Sequence, residues 1–111
     1  MAEINPSSPS SAQYQILLSL LGGEKHGYAI MLAVESLTDG EVRLGPGTLY
    51  GAIKRLIEQG WIAESGDRPD PDMDDERRRY YRLTGLGQKV VDRETTRMHR
   101  LVRFAKQHLF A

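Results

Sequence analysis

Apolar residues in the first half of the chain recur at helical spacing in three short segments. The first segment begins at a capping-box pattern, Ser10 with Gln13, and stops at Gly22. A second helix is predicted from residues 27 to 37, and a third ends at Gly60. The positions predicted to be buried are, in chain order, Ile16, Leu17, Leu20 and Leu21, then Ile30, Val34 and Leu37, then Leu49, Ile53 and Leu56. Three short helices of this kind typically pack as a helix-turn-helix core.

After Gly60 the hydrophobic pattern changes from helical to strand-like. The runs 61–65 and 78–83 are both short and β-compatible, and the second would bury Tyr81 and Leu83 on one side. The 12 residues between the two runs are rich in Gly, Pro and Asp. This pattern predicts an antiparallel hairpin with a long polar loop, which is the wing of a winged helix-turn-helix.

A long final helix is predicted from an N-cap at Thr84 almost to the C-terminus, although Gly85 and Gly87 weaken its first turn. Its apolar seam repeats with heptad spacing at Val91, Thr95, Met98, Val102, Ala105 and Leu109. Such a helix could fold back on its own domain, but about 25 residues of helix extend roughly 37 Å, which exceeds the width of a small domain. We therefore expect the seam to pack against a partner helix.

These elements predict a mainly α-helical fold with a small β-hairpin, namely a winged helix-turn-helix followed by a long dimerisation helix. Residues 1–9 are rich in Pro and Ser and are expected to form a flexible tail. Residues 10–83 would form the winged helix-turn-helix domain, and residues 84–111 the dimerisation helix. A chain of 111 residues has a modest core, and dimerisation would add to the buried surface.

The third helix has an unusually bare face opposite its buried stripe. That face carries Gly47, Gly51, Lys54 and Glu58, with Thr48 at the start and with Tyr50 and Arg55 on the flanks. Each glycine costs about 1 kcal/mol relative to alanine, so the pair makes sense if another backbone comes close. A DNA phosphate strand is the simplest candidate, because helix N-termini present free N–H groups and a positive dipole end.

Blander interpretations of this segment remain open. Residues 45–47 could simply form a turn into an ordinary core helix. Arg55 lies nearer the core edge and could instead pair with an acidic neighbour. In the preceding helix, Tyr28 is expected to pack at the junction of the first two helices, and His26 to serve as a turn or N-cap residue.

The formal net charge is zero, which by itself argues against nucleic-acid binding. The distribution changes this picture, because residues 67–76 hold six acidic residues and one arginine, whereas residues 84–111 hold six Lys/Arg against two Asp/Glu. Directly after the acidic segment come Arg77, Arg78 and Arg79, which are expected to approach the DNA backbone. The acidic tip would either avoid DNA or pair with these arginines when DNA is absent.

Other chemistry is largely excluded by what the sequence lacks. There is no Cys, no secretory leader pattern and no apolar run near the roughly 20 residues of a membrane span, so a soluble, cytoplasmic chain is expected. No nucleophile elbow, phosphate-binding loop or zinc motif occurs, so we expect neither enzyme activity nor a cofactor. The spacing of Asp70, Asp72 and Asp74 imitates a calcium loop, but its sixth position is Asp75 instead of Gly and its twelfth is Tyr81 instead of Glu. No metal site is predicted.

Three stretches in this order resemble the PadR family of bacterial transcriptional regulators, in its small subgroup with a single C-terminal helix. They are Lys-His-Gly-Tyr at residues 25–28, Gly-Pro-Gly-Thr-Leu-Tyr at 45–50 with Lys-Arg-Leu at 54–56 and Gly-Trp-Ile at 60–62, and Arg-Tyr-Tyr-Arg-Leu-Thr at 79–84 with Gly87. The resemblance covers about residues 11–109.

The resemblance implies a homodimeric winged-helix repressor whose third helices enter successive major grooves of a palindromic duplex DNA site. It places Thr48, Tyr50 and Lys54 on the recognition helix and arginines at the wing base, and it implies dimerisation through the C-terminal helix. It also implies that a small-molecule effector loosens DNA binding. The acidic wing tip and the absence of Trp from the C-terminal helix depart from the family pattern.

Two other functions are compatible with the sequence. The chain could be a winged-helix protein-interaction module that uses the acidic loop and the heptad helix without touching DNA. It could also be a ligand sensor with a cavity between the first and last helices, near Tyr14 and Met98.

Overall fold

Residues 8–65 and 79–110 are described by the computed structural model, and they form four α-helices, a 3₁₀ turn and a small sheet. In chain order the elements are α1 (Ser11–Ser19), the 3₁₀ turn (Leu20–Gly22), β1 (Lys25–His26), α2 (Gly27–Leu37), α3 (Pro46–Glu58), β2 (Ile62–Ser65), β3 (Tyr80–Leu83) and α4 (Gly85–Leu109). This is the mainly helical winged-helix fold that the hydrophobic pattern predicts. The predicted acidic tip, the calcium-like spacing, Arg77 and Arg78 lie outside the described residues, as do residues 1–7 of the predicted tail.

The core is formed where the three N-terminal helices meet, and most of the side chains predicted to be buried lie there. Fully buried side chains come from all three of these helices and from β2, namely Ile16, Leu17, Ile30, Val34, Leu49, Leu56 and Ile62. Two predictions were wrong, since Leu21 is 52% exposed and Leu37 is 57% exposed. Leu21 lies in the 3₁₀ turn, whose tighter winding rotates it off the buried face of α1. Leu37 is the last residue of α2, where the chain turns away through Gly40.

The predicted hairpin is present, and a third strand extends it. β2 and β3 pair antiparallel with Ile62 opposite Leu83, and Tyr81 is buried as expected, whereas Leu83 is partly buried. On the other edge of β3 lies β1, giving the strand order β1-β3-β2. The sequence carries no strand signal for β1, because its two residues stand between a glycine turn and a helix start.

Side chains cap three of the four α-helices. The Ser10–Gln13 capping box is confirmed, with the Ser10 N–H donating to Gln13 Oε1 at 2.9 Å and the Gln13 N–H donating to Ser10 Oγ at 3.2 Å. His26 is the N-cap of α2, since its Nδ1 accepts from the Ala29 N–H at 3.2 Å. Thr84 caps α4 through the Gly87 N–H at 3.0 Å.

The first turn of α4 is fastened to the end of α3. The Thr84 hydroxyl donates to the Gly60 carbonyl at 2.6 Å, and the Thr84 N–H donates to the Trp61 carbonyl at 3.1 Å. Gly87 is buried against the same carbonyl, and a β-carbon built on it would collide with the Trp61 oxygen and lie 2.8 Å from the Trp61 carbonyl carbon. Gly87 was predicted only to weaken α4; the packing shows that the close approach of two backbones requires it.

The two halves of α4 have different surroundings. In the first half Val90 and Val91 belong to the core, and the hydroxyls of Tyr14 and Thr95 lie 2.7 Å apart. Val91 is 4% exposed, so its predicted place in a dimer seam is wrong: the side chain is used inside its own chain. The apolar residues of the second half are exposed, and they include Met98, Leu101, Val102, Phe104 and Leu109. The longest dimension of the molecule is 56 Å.

One carboxylate lies on the inner face of α4. Glu94 is 7% exposed and accepts two hydrogen bonds from Arg97, one from Nε at 2.8 Å and one from Nη2 at 2.9 Å. The Arg97 hydrogen bond lowers the pKa of Glu94 against the opposing effect of burial, and the pKa of Arg97 is raised in turn. Glu94 is therefore held ionised at the boundary between the two halves of the helix.

Within residues 8–65 and 79–110, no helix combines the length and apolar character needed to cross a membrane. The same part of the chain contains no group of three or more His, Asp or Glu side chains placed to hold a metal ion.

Gly87→Ala should destabilise the protein severely, by about 3 kcal/mol or more, because the colliding atom is backbone and cannot move aside. Urea unfolding followed by circular dichroism measures this free energy. Gly85→Ala is the matched control, since a β-carbon there meets nothing within 4 Å. Equal stability of the two variants would contradict the packing described.

Candidate nucleic-acid interface

The outward face of α3 is open to solvent because the opposite face is fully used in the core. Leu49, Ile53 and Leu56 are at most 2% exposed, and they hold the helix rigidly on the domain. The residues predicted to face a partner are all exposed, namely Gly47, Thr48, Tyr50, Gly51, Lys54 and Arg55. A β-carbon on Gly47 or Gly51 would meet nothing within 4 Å. The described part of the chain therefore gives these glycines no internal packing role, and the surface is free for an external partner.

The N-terminus of α3 differs from those of the other α-helices. Its N-cap is Gly45, which makes no side-chain capping hydrogen bond, and Pro46 occupies the first turn. The N–H groups at this end are thus left without a side-chain acceptor, and they lie at the positive end of the helix dipole. Such an end is suited to an anionic group such as a phosphate.

The start of α1 adds to this surface, which sequence reasoning missed. A shallow groove of about 300 Å³ runs between the two helices and is lined by Gln13, Thr48 and Arg55 together with the two glycines. Gln13 Nε2 donates to Gln59 Oε1 at 3.3 Å and ties the first turn of α1 to the end of α3. No local pattern signals this contact, because 46 residues separate its partners.

Arg55 is the α3 residue for which the sequence leaves pairing with an acidic neighbour open. It is exposed, and it forms no ion pair with any residue in the described ranges. Its guanidinium and the Lys54 ammonium therefore both remain available on the α3 surface.

From the sequence, Tyr50 is expected to face a partner and Tyr28 to pack inside the domain, but both side chains are partly exposed. Tyr50 is 42% exposed, and the other side of its ring covers Gly27 at the start of α2. Tyr28 is 59% exposed, so the prediction that it packs between the first two helices was wrong. At the first turn of α2 the buried side is used by Gly27 and Ile30, which turns Tyr28 outward.

The wing base presents arginines beside an acidic side chain. Arg79 Nε lies 3.6 Å from Glu64 Oε1 on β2, and about half of the Arg79 side chain is exposed. Exposed ion pairs contribute little to stability, so a phosphate would displace Glu64 at small cost. Buried beneath this pair, Tyr81 has a pKa raised chiefly by burial, with Glu64 and Tyr50 raising it further.

A family model decides the assignment of this fold. The model of the transcriptional regulator PadR-like family matches residues 16–93, which include α2, α3, the strands and the first turns of α4. The chain belongs to the PadR-like family. This confirms the family resemblance carried by the three sequence stretches.

A curated relative extends the family match. An uncharacterised 37.1 kDa protein in transposon TN4556 of Streptomyces fradiae is 38% identical over 92 residues, which cover 83% of this PadR-like chain and 24% of that protein. The chain thus spans about a quarter of the length of this relative.

Solved structures of other regulators share the PadR-like fold. A transcriptional regulator from Clostridium thermocellum has a TM-score of 0.69 at 26% identity, with 86% of this chain and 90% of that chain covered. A PadR family regulator from Clostridium difficile gives 0.72 at 23% identity, covering 90% and 99%. Bacillus subtilis PadR in complex with operator DNA gives 0.65 at 21% identity, covering 78% and 47%. The last two likenesses show the fold alone.

A cavity near Tyr14 and Met98 is the effector site predicted from the sequence of this PadR-like chain. The Tyr14 hydroxyl lies 2.7 Å from the Thr95 hydroxyl, and Met98 is 38% exposed on the projecting half of α4. A groove of about 570 Å³ lies beside the first turns of α4, and its lining includes Leu21, Gln88, Asp92 and Thr95. An apolar wall of this groove is Leu21, whose side chain the 3₁₀ turn rotates outward.

Proposed function

We propose that the chain is a homodimeric, DNA-binding transcriptional repressor that recognises a palindromic operator in the cytoplasm. The observation that carries the proposal is the open face of α3, which is rigidly mounted, bare at two glycines and uncapped at its N-terminus. The major groove of DNA, about 12 Å wide, admits a helix of this kind. The DNA complex of Bacillus subtilis PadR supports this use of the fold.

In this proposal the residues of α3 divide between positioning and reading. Lys54 and Tyr50 contact phosphates, as does Arg55 across the α1–α3 groove. Thr48 and the surface at Gly47 and Gly51 approach the base edges, since the missing side chains let the helix backbone come close. Arg77, Arg78 and Arg79 of the wing base follow the flanking backbone.

The projecting half of α4 supports dimerisation with a second copy. Met98, Val102, Ala105 and Leu109 continue the stripe that Val90 and Val91 bury in the first half. In the described chain nothing covers the exposed members of this stripe, which are 38% to 74% exposed. A two-fold pairing would bury them isologously and set two α3 helices about 34 Å apart, one helical turn of DNA. Thr95, hydrogen-bonded to Tyr14, would lie at the inner end of this seam.

The groove beside the first turns of α4 supports regulation by a small molecule. Leu21 and Val91 supply an apolar wall, and Asp92 and Thr95 supply polar groups on the opposite side. A ligand seated there would contact both the 3₁₀ turn and α4, next to the junction that holds the dimer helix on the DNA-binding domain.

Lys54→Ala should weaken DNA binding about tenfold and lower the slope of log affinity against log salt by about 2 per dimer, one phosphate being lost from each α3. Fluorescence anisotropy at several salt concentrations measures both quantities. Lys106→Ala, which removes an exposed lysine far along α4, is the matched control and should change neither. Unchanged binding by Lys54→Ala would favour the protein-interaction module instead.

Val102→Asp should break the dimer, because it places a charge in the middle of the apolar stripe. Sedimentation velocity should show the variant as a monomer at concentrations where the wild type is a dimer. Thr96→Asp, on the opposite side of α4, should remain dimeric. A dimeric Val102→Asp protein would place the interface elsewhere.

An effector of the groove should raise the melting temperature and lower operator affinity together, and a compound library screened by thermal shift would identify it. Gln88→Trp fills the groove and should abolish both effects, whereas Gln107→Trp outside the groove should retain them. Compounds that stabilise the Gln88→Trp variant equally would argue against this site.

A further inference from the structure

The backbone conformation at Gly27 does not require a glycine, so the absence of a side chain there needs another explanation. Gly27 is the first residue of α2, and it is absent from the glycines with positive φ among the described residues, namely Gly23, Gly40 and Gly60. A β-carbon on Gly27 would collide with the Tyr50 hydroxyl oxygen and lie 2.8 Å from Cζ and 3.0 Å from Cε1 of the same ring. The missing side chain is therefore the space that the Tyr50 ring occupies.

Tyr50 lies where three elements meet. Its ring rests on the first turn of α2, and it lies close enough to the buried Tyr81 of β3 to raise the pKa of that phenol. Next to Gly27, His26 is paired with Tyr80 in the sheet and contacts its ring edge-on, with the centroids 5.5 Å apart. The position of Tyr50 thus depends on the supporting helix α2 as well as on α3.

The hydroxyl of Tyr50 is available to an external partner. The side chain is 42% exposed, and among the described residues its hydroxyl has no hydrogen-bond partner. A tyrosine has two side-chain torsions, and packing on one side removes most of their freedom before any partner arrives. A donor held in this way loses little entropy on binding a phosphate oxygen.

We propose that Gly27 is a positioning residue for DNA recognition: it lets Tyr50 lie on α2 and so fixes the Tyr50 hydroxyl at the DNA-facing surface. The inference rests on the proposed DNA-binding function and adds to it a residue that touches no DNA. On this proposal, DNA recognition depends on the contact between α2 and α3 as well as on α3 itself.

The test compares Gly27→Ala with Gly85→Ala. Both glycines are the first residue of an α-helix that follows a side-chain N-cap, but a β-carbon at position 85 meets nothing within 4 Å. The probe is a duplex enriched from a random-sequence library by the wild-type protein. Gly27→Ala should bind it about tenfold more weakly with the dimer intact, whereas Gly85→Ala should bind within about twofold of wild type.

A second background separates positioning from general damage. In Tyr50→Ala protein the space beside residue 27 is empty, so adding Gly27→Ala should cause no further loss of affinity. The same double variant should restore folding if Gly27→Ala alone does not fold. An equal loss in both backgrounds, or wild-type affinity in Gly27→Ala, would overturn the proposal.

A measurement without DNA distinguishes failure of this inference from failure of the proposed function. Nuclear Overhauser effects between the Gly27 α-protons and the Tyr50 ring protons are expected in the free wild-type protein, and their absence would overturn the packing. If they are present but no duplex is enriched, the DNA-binding function fails and the positioning role falls with it.

Discussion

The backbone carbonyl of Trp61 lies against the first turn of α4 so closely that residue 87 has no room for a β-carbon. Around this contact, the Thr84 side chain donates to the Gly60 carbonyl and accepts from the Gly87 N–H, so one residue joins the turn after α3 to the start of α4. Trp61 itself is 3% exposed and is part of the core. Because both partners are backbone, the angle between α3 and α4 has little freedom. In the proposed dimer, that angle sets the distance between the two α3 helices.

The same junction explains why α4 has two kinds of surface. Its first turns are held against the domain, and Val90, Val91 and Glu94 complete the core and its edge. Beyond Arg97 the helix has left its own domain, but its apolar stripe continues unchanged. The half of α4 that packs on its own domain and the half whose apolar stripe is exposed are therefore consecutive parts of one helix. The ionised Glu94, held by Arg97, marks the transition.

The candidate DNA surface is composite, although its sequence signal comes only from α3 and the arginines of the wing base. Gln13 of α1 bonds to Gln59 at the C-cap of α3, and Gly27 of α2 makes room for the Tyr50 ring, although both residues lie far from their partners in sequence. The glycines of this small chain accordingly have different functions. Gly47 and Gly51 leave an outer surface bare, whereas Gly27 and Gly87 make room for a ring and a carbonyl inside the molecule.

The sequence by itself determined the helices, the hairpin and the exposed face of α3, because periodicity, capping residues and glycine placement act over a few neighbouring residues. The Ser10 capping box and the buried stripe of α3 follow from such local patterns. Only the tertiary structure decided which side chains those elements leave without neighbours: Leu21 and Tyr28 turned outward, Val91 turned inward, and two residues added a third strand. The reason is that burial and close approach depend on partners far along the chain, and no local pattern encodes the position of a partner.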